Sequence, residues 1–120
     1  MKIAVSSFGK DMQSQLDPRF GRASYFIIVD PETMAHAALE NKLNINLPQG
    51  AGIQAAKTIV DNKADVVITG HCGPKAFKVL QSAGVKLLIG ATGSVADALQ
   101  QYKKGELQAA NEADVEGHWV

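Results

Sequence analysis

Hydrophobic and polar positions along the chain follow two rhythms. Short, nearly unbroken apolar runs fall at Ile3-Ala-Val5, Tyr25-Phe-Ile-Ile-Val29, Val66-Val-Ile68 and Val85 to Ile89, the pattern of strands buried on both faces. Elsewhere apolar residues recur at helical spacing: Ile53, Ala56, Ile59 and Val60, then Ala76, Phe77, Leu80 and Ala83, then Val95, Ala98, Leu99 and Tyr102. The pattern predicts strands over 2–6, 25–30, 66–69 and 85–89. It predicts helices over 52–62, from Pro74 to Gly84, and from Val95 to Gly105.

Local chemistry supports these boundaries. Pro74 suits a first helical turn, where its missing N–H would be unpaired anyway. Gly84 and Gly105 stand where helices stop, and Ser94-Val-Ala-Asp97 reads as a capping box with Asp in place of the usual Glu. Asp30-Pro31-Glu32-Thr33 places proline where a type I turn wants it, which suggests a hairpin. Its second arm, 34–40, is alanine-rich; propensity argues for helix and the turn for strand, and strand is the assignment. Residues 7–22 read as a long loop, 41–50 as a second loop, and 108–120 as a tail after a domain spanning 1–107.

The element order is therefore βββαβαβα, an α/β fold with a mixed five-stranded sheet and flanking helices. The short βα connections of the second half imply right-handed crossovers and parallel strands. If strands one, four and five are parallel, the segments 6–10, 70–73 and 90–93 gather at one sheet edge. That carboxyl edge is where open α/β sheets bind ligands.

Composition narrows the function without choosing it. A chain of 120 residues is one domain able to bury a real core. Twelve basic and twelve acidic side chains cancel, which gives no support for nucleic acid or anionic membrane as partner. No apolar run approaches the ~20 residues of a membrane span, and the N-terminus turns polar too soon for a secretory signal. A single cysteine, Cys72, cannot form an internal disulfide and fits a reducing cytoplasm.

Cys72 lies in the turn Gly70-His71-Cys72-Gly73, between a strand and a helix entrance. The helix start would favour thiolate there, and the glycines would let a ligand approach the backbone. Thiolate suits soft metals and metal sulfides. The alternative is a small buried residue with no ligand role, the common fate of a lone cysteine. Arg19 and Arg22 could offer fixed positive charge to an anion, or one of them could pair with Asp17. Lys75 in the first helical turn reads as a solvated side chain, and His36 as exposed or structural.

Four stretches then occur in matching order: Asp17-Pro-Arg-Phe-Gly-Arg-Ala-Ser-Tyr-Phe26, Gly50-Ala-Gly-Ile-Gln-Ala-Ala56, Thr69-Gly-His-Cys-Gly-Pro-Lys-Ala-Phe77 and Gly90-Ala-Thr-Gly93. Together with Glu116-Gly-His-Trp119 they resemble the dinitrogenase iron–molybdenum cofactor-binding family, over nearly the whole chain. The resemblance implies a ribonuclease H-like fold and a strand over 34–40. It implies a small non-catalytic carrier for a metal–sulfur cluster, either iron–molybdenum cofactor-like or a molybdenum, iron or copper sulfide. Cluster donor and acceptor proteins would be its partners, and a monomer or weak homodimer its state. The expected cofactor-binding residues are Arg19, Arg22, Gly70, His71, Cys72, Gly73, Thr92 and Gly93, with Cys72, His71 and His118 as metal ligands.

An ordinary iron–sulfur cluster needs about four cysteines, and this chain has one. A finished cluster bringing its own sulfide needs fewer anchors, which favours a carrier over a builder. Two other readings stay in view: a redox or regulatory protein sensing through Cys72, and an anion or phosphate module using the glycine turns at helix starts. Metal-dependent nuclease chemistry is not expected, because it needs several carboxylates around two metal ions. The first strand has none, and Asp65 starts the fourth strand at the opposite edge.

Overall fold

The computed structural model describes residues 1–41 and 50–111. Most of the expected loop over 41–50 and most of the expected tail over 108–120 lie outside the described residues. Six strands and three helices occur among those described. They are β1 (Ile3–Ser7), β2 (Tyr25–Val29), β3 (His36–Glu40), α1 (Ala51–Asp61), β4 (Val66–Ile68), α2 (Pro74–Ser82), β5 (Lys86–Ile89), α3 (Val95–Lys103) and β6 (Gln108–Ala109).

The strands form one mixed sheet in the order β3-β2-β1-β4-β5-β6. β1 pairs parallel with β4, and β4 parallel with β5. β2 and β3 form the antiparallel hairpin on one side. The alanine-rich arm is thus a strand; cross-strand pairing with β2 overrides local helix propensity. Its turn is wider than a simple type I turn: the Met34 N–H donates to the Asp30 carbonyl at 2.7 Å and the Asp30 N–H to the Ala35 carbonyl at 2.9 Å.

The five-strand count needs correction. Gln108–Ala109, expected as the start of a tail, adds a sixth strand antiparallel to β5. Two residues carry too little pattern to be read as a strand; what fixes them is the free edge of β5, including an N–H bond from Ala110 to the Leu87 carbonyl at 2.9 Å.

The central strands β1, β2, β4 and β5 are covered on both faces, as their apolar runs require, whereas β3 and β6 at the edges are largely exposed. On one face Ala4, Phe26, Val67 and Leu87 pack beneath Ala55, Ala56 and Ile59 of α1 and Ala76, Phe77 and Leu80 of α2. On the other, Ile3, Val5, Ile27, Val29 and Ile68 pack beneath Val95, Ala98 and Leu99 of α3. The helix ends follow the expected chemistry. Ser94 Oγ accepts the Asp97 N–H at 3.1 Å while Asp97 Oδ2 accepts the Ser94 N–H at 3.0 Å, closing the capping box. Hydrogen bonding of the Asp97 carboxyl to the Ser94 backbone N–H, the larger effect, and to the Ser94 side chain holds it below the usual carboxylate range. No described helix is long and apolar enough to cross a membrane.

Candidate functional site

Because β1, β4 and β5 are parallel, the segments leaving Ser7, Ile68 and Ile89 emerge at the same sheet edge. They are joined to one another. The Gly90 N–H donates to the Gly70 carbonyl at 3.3 Å, and the Ala91 N–H to the Thr69 carbonyl at 3.4 Å. The buried Ser6 hydroxyl lies 2.7 Å from the Thr69 hydroxyl and 2.6 Å from the Asp17 carbonyl.

Residues 7–22 are not a slack loop over this edge but a strap bound across it. The Leu16 N–H donates to the Gly93 carbonyl at 2.9 Å, Asp17 N–H to Ser6 at 3.0 Å, and His71 N–H to Pro18 at 2.7 Å. Phe20 N–H returns to the His71 carbonyl at 3.2 Å, and Arg19 and His71 form a parallel bridge. Apolar anchors fix the strap from beneath. Met12 and Leu16 enter the core on the α3 side, and Phe20 enters the α1–α2 side with its ring 5.2 Å from that of Phe26.

Asp17 is the polar anchor of the strap. Its carboxylate is fully buried and accepts three bonds from Arg19: the backbone N–H at 2.9 Å, Nε–H at 3.1 Å and Nη2–H at 3.0 Å. Arg19 faces outward, its side chain 56% exposed, with the guanidinium 5.7 Å from the centre of the Phe8 ring. The hydrogen bonds to Asp17, with its charge, raise the Arg19 pKa further. Arg19 is thus half committed: it pairs with Asp17 along one edge and presents the rest to the mouth. Arg22 is half-buried beyond Phe20.

His71 is half-buried at the rim, whereas Cys72 is 2% exposed and faces the α1–α2 core with Phe20 and Ala76. The expectation of an exposed thiol favoured as thiolate is therefore corrected. Burial pushes the thiol up to about 12, because desolvation penalises the anion more than the helix start favours it. Successive residues of the turn point to opposite sides, so His71 takes the rim and Cys72 the core.

The glycines also do different work from that expected. A Cβ on Gly70 would come within 2.6–3.0 Å of Pro18 atoms, so Gly70 makes room for the strap. Gly73 has an ordinary extended φ of −75°. Gly93 does need its positive φ of 87°, and a Cβ there would strike the Asp97 carboxylate. Gly93 thereby serves the capping box. The Thr92 backbone is held by the Gln101 side-chain amide, with bonds of 3.2 and 2.9 Å, although Thr92 itself is exposed. Gly21 backs directly onto Gly52, its Cβ position only 2.7 Å from the Gly52 backbone. That contact brings two of the sequence motifs together in space.

The structure thus gathers Arg19, Gly70, His71, Gly73, Thr92 and Gly93 around one edge and places Cys72 beneath it. His36 lies apart, on exposed β3, and His118 falls outside the described residues. Phe8, 48% exposed beside Arg19, belongs to the mouth and was not read from the sequence. Its signal was its place directly after β1. Among the described residues no three His, Cys, Asp or Glu side chains come close enough to hold a bare metal ion. A groove of about 450 Å³ lies elsewhere, between α1 and α2 and towards the opposite sheet edge, lined by Lys57, Val60, Asp61, Lys78 and Val79 among others.

Comparison with known proteins settles the family. The family description "dinitrogenase iron-molybdenum cofactor" matches residues 1–105. The chain belongs to that family. It is 41% identical to the orange protein from Desulfovibrio gigas, solved in its apo form, with a TM-score of 0.87 over 91% of this chain and 92% of that one. A NifB-like protein from Thermotoga is 33% identical, with a TM-score of 0.79 over 90% and 91% of the two chains. An uncharacterized protein of Methanocaldococcus jannaschii is 28% identical over 100 residues, 79% of this chain and 82% of that protein.

Proposed function

We propose that the protein is a cytoplasmic, non-catalytic carrier that receives a preassembled, anionic metal–sulfur cluster at the strap-bounded edge of its sheet and passes it to an acceptor protein. The observation that carries this reading is membership of a cofactor family combined with a rim of Arg19, His71, Thr92 and exposed Phe8 at the carboxyl edge. The donor set suits a finished cluster better than a bare ion. It offers positive charge and an imidazole, but no three clustered ligands among the described residues. The first turn of α2 adds to it, since Gly73 supplies no side-chain cap and the first N–H groups of a helix favour negative charge. Arg22 is assigned to the same receiving surface.

In this reading the cluster is an iron–molybdenum cofactor or a molybdenum, iron or copper sulfide, and its own sulfides complete the metal coordination. Cys72 stands one residue behind the rim and becomes a ligand only if the 70–73 turn opens and the thiol is deprotonated. The sheet is read as ribonuclease H-like without that fold's metal-binding acids: Asp65 is at the amino edge, its carboxylate accepting the Lys2 N–H at 2.8 Å. A sensing role for Cys72 is disfavoured by its burial, and a simple phosphate module would leave the imidazole and Phe8 without a use.

The test is anaerobic titration with an iron–molybdenum or molybdenum–copper sulfide cluster, read by visible absorbance on folded variants. His71→Ala, Arg19→Ala and Arg22→Ala should weaken uptake, the arginine variants with a changed salt dependence. Cys72→Ala should retain most of it. Absence of uptake by the wild type would end the carrier reading, and loss confined to Cys72→Ala would move the anchor to an opened turn.

A further inference from the structure

The sheet has two edges, and they are built differently. β6 closes one side with two residues, the short edge by which proteins commonly discourage strand addition. β3 closes the other with five residues, His36-Ala-Ala-Leu-Glu40, containing no lysine, proline or glycine, and exposed at every position but half-buried Leu39. Among the described residues no lysine, proline or bulge blunts it, and its one acidic side chain, Glu40, stands at its end.

The hydrogen-bond phase of β3 is fixed by its pairing with β2. Ala35 accepts from Asp30, and the Asn41 N–H donates to Ser24 at 2.9 Å, so 35, 37, 39 and 41 direct their backbone groups inward. His36, Ala38 and Glu40 therefore direct theirs outward. A second copy of the same strand, antiparallel about a two-fold axis at Ala38, meets this edge in phase. Ala38 faces Ala38, and His36 faces Glu40 of the second copy, twice. All three are reciprocal hydrogen-bonded pairs. The imidazole and carboxylate are complementary on one face, and on the other Leu39 meets Ala37 of the second copy, covering its remaining exposed surface. Like-with-like pairing rarely offers such complementarity, since a strand with one sign of charge at both ends would repel itself.

We propose that the protein self-associates through β3, joining two six-stranded sheets into one continuous sheet as a weak, concentration-dependent homodimer. The interface is one short strand pair plus its side chains, well below the size of a permanent contact. The cluster-receiving edge is formed by β1, β4 and β5 and takes no part, so the two mouths stay open at opposite edges of the joined sheet. The inference stands independently of what the mouth binds.

Sedimentation equilibrium over a micromolar-to-millimolar range, with amide chemical shifts followed on dilution, tests this. The expected result is a monomer–dimer equilibrium with dilution shifts centred on His36–Glu40. His36→Glu, which sets like charges opposite each other, should weaken association by roughly tenfold, and adding Glu40→Lys should restore it. Ala38→Pro removes an N–H that β2 does not use and should abolish association in protein that remains folded by circular dichroism. A monomer at every concentration would overturn the proposal. So would a dimer insensitive to His36→Glu and Ala38→Pro, or dilution shifts located away from β3.

Discussion

The state of Cys72 is the point on which the fold and the proposed function bear most directly. Its thiol is 2% exposed and pushed by burial from an ordinary 9.0 to about 12. At pH 8 an ordinary thiol would be about one-tenth thiolate, whereas this one would be about one part in ten thousand. Alkylation by iodoacetamide, which consumes thiolate, should therefore be roughly a thousandfold slower in the native protein than after unfolding in urea. Stability carries the same signature. The folded pKa is raised above the unfolded one, so folding holds the proton more tightly. The stabilisation is fully present below pH 9 and is lost as pH rises towards 12. Three units correspond to about 4 kcal/mol as a ceiling, and roughly 2–3 kcal/mol of it should be gone by pH 11. Urea melts at pH 8, 9, 10 and 11 measure this, with Cys72→Ala as the control for every other contribution to the pH dependence. That variant should lose about 1–2 kcal/mol at pH 8 through the missing sulfur and show the shallower decline. Native alkylation at the unfolded rate, or identical pH slopes for both proteins, would refute the buried neutral thiol and restore Cys72 as a ready ligand.

Two further perturbations probe what holds the mouth together. Gly70→Ala should cost about 1–3 kcal/mol, because its Cβ must displace Pro18; an unchanged urea midpoint would show that the strap is not bound as tightly as its hydrogen bonds indicate. Ser94→Ala should cost about 1 kcal/mol by opening the α3 capping box, measured by thermal or urea unfolding, and a cost near zero would mean that the Leu16 and Gln101 contacts alone hold that turn.

Much of this molecule was legible from hydrophobic pattern and turn chemistry. The unbroken runs at 3–5, 25–29 and 66–68 could only be strands sheltered on both faces. The stripes of α1, α2 and α3, Pro74 at a helix start, and the Ser94–Asp97 box are local signals that tertiary contacts reinforced. The shared carboxyl edge followed because parallel strands with short crossovers bring their ends to one side. The motifs also pointed to the family.

What the chain alone could not decide is which way side chains face once segments distant in sequence meet. His71 and Cys72 are neighbours, yet one lies at the rim and the other in the core, since Phe20 and α2 surround the thiol. The 7–22 stretch has no periodicity because, beside bonds within itself such as Arg19 to Asp17, it is held by Ser6, His71 and Gly93, with Met12, Leu16 and Phe20 entering two separate cores. Gly70 and Gly93 looked like room for a ligand; packing gives that room to Pro18 and Asp97. The two residues of β6 became a strand only because β5 offered an open edge. Periodicity records which face an element buries, but a close approach between remote segments leaves no period, and that is where the mouth of this protein was built.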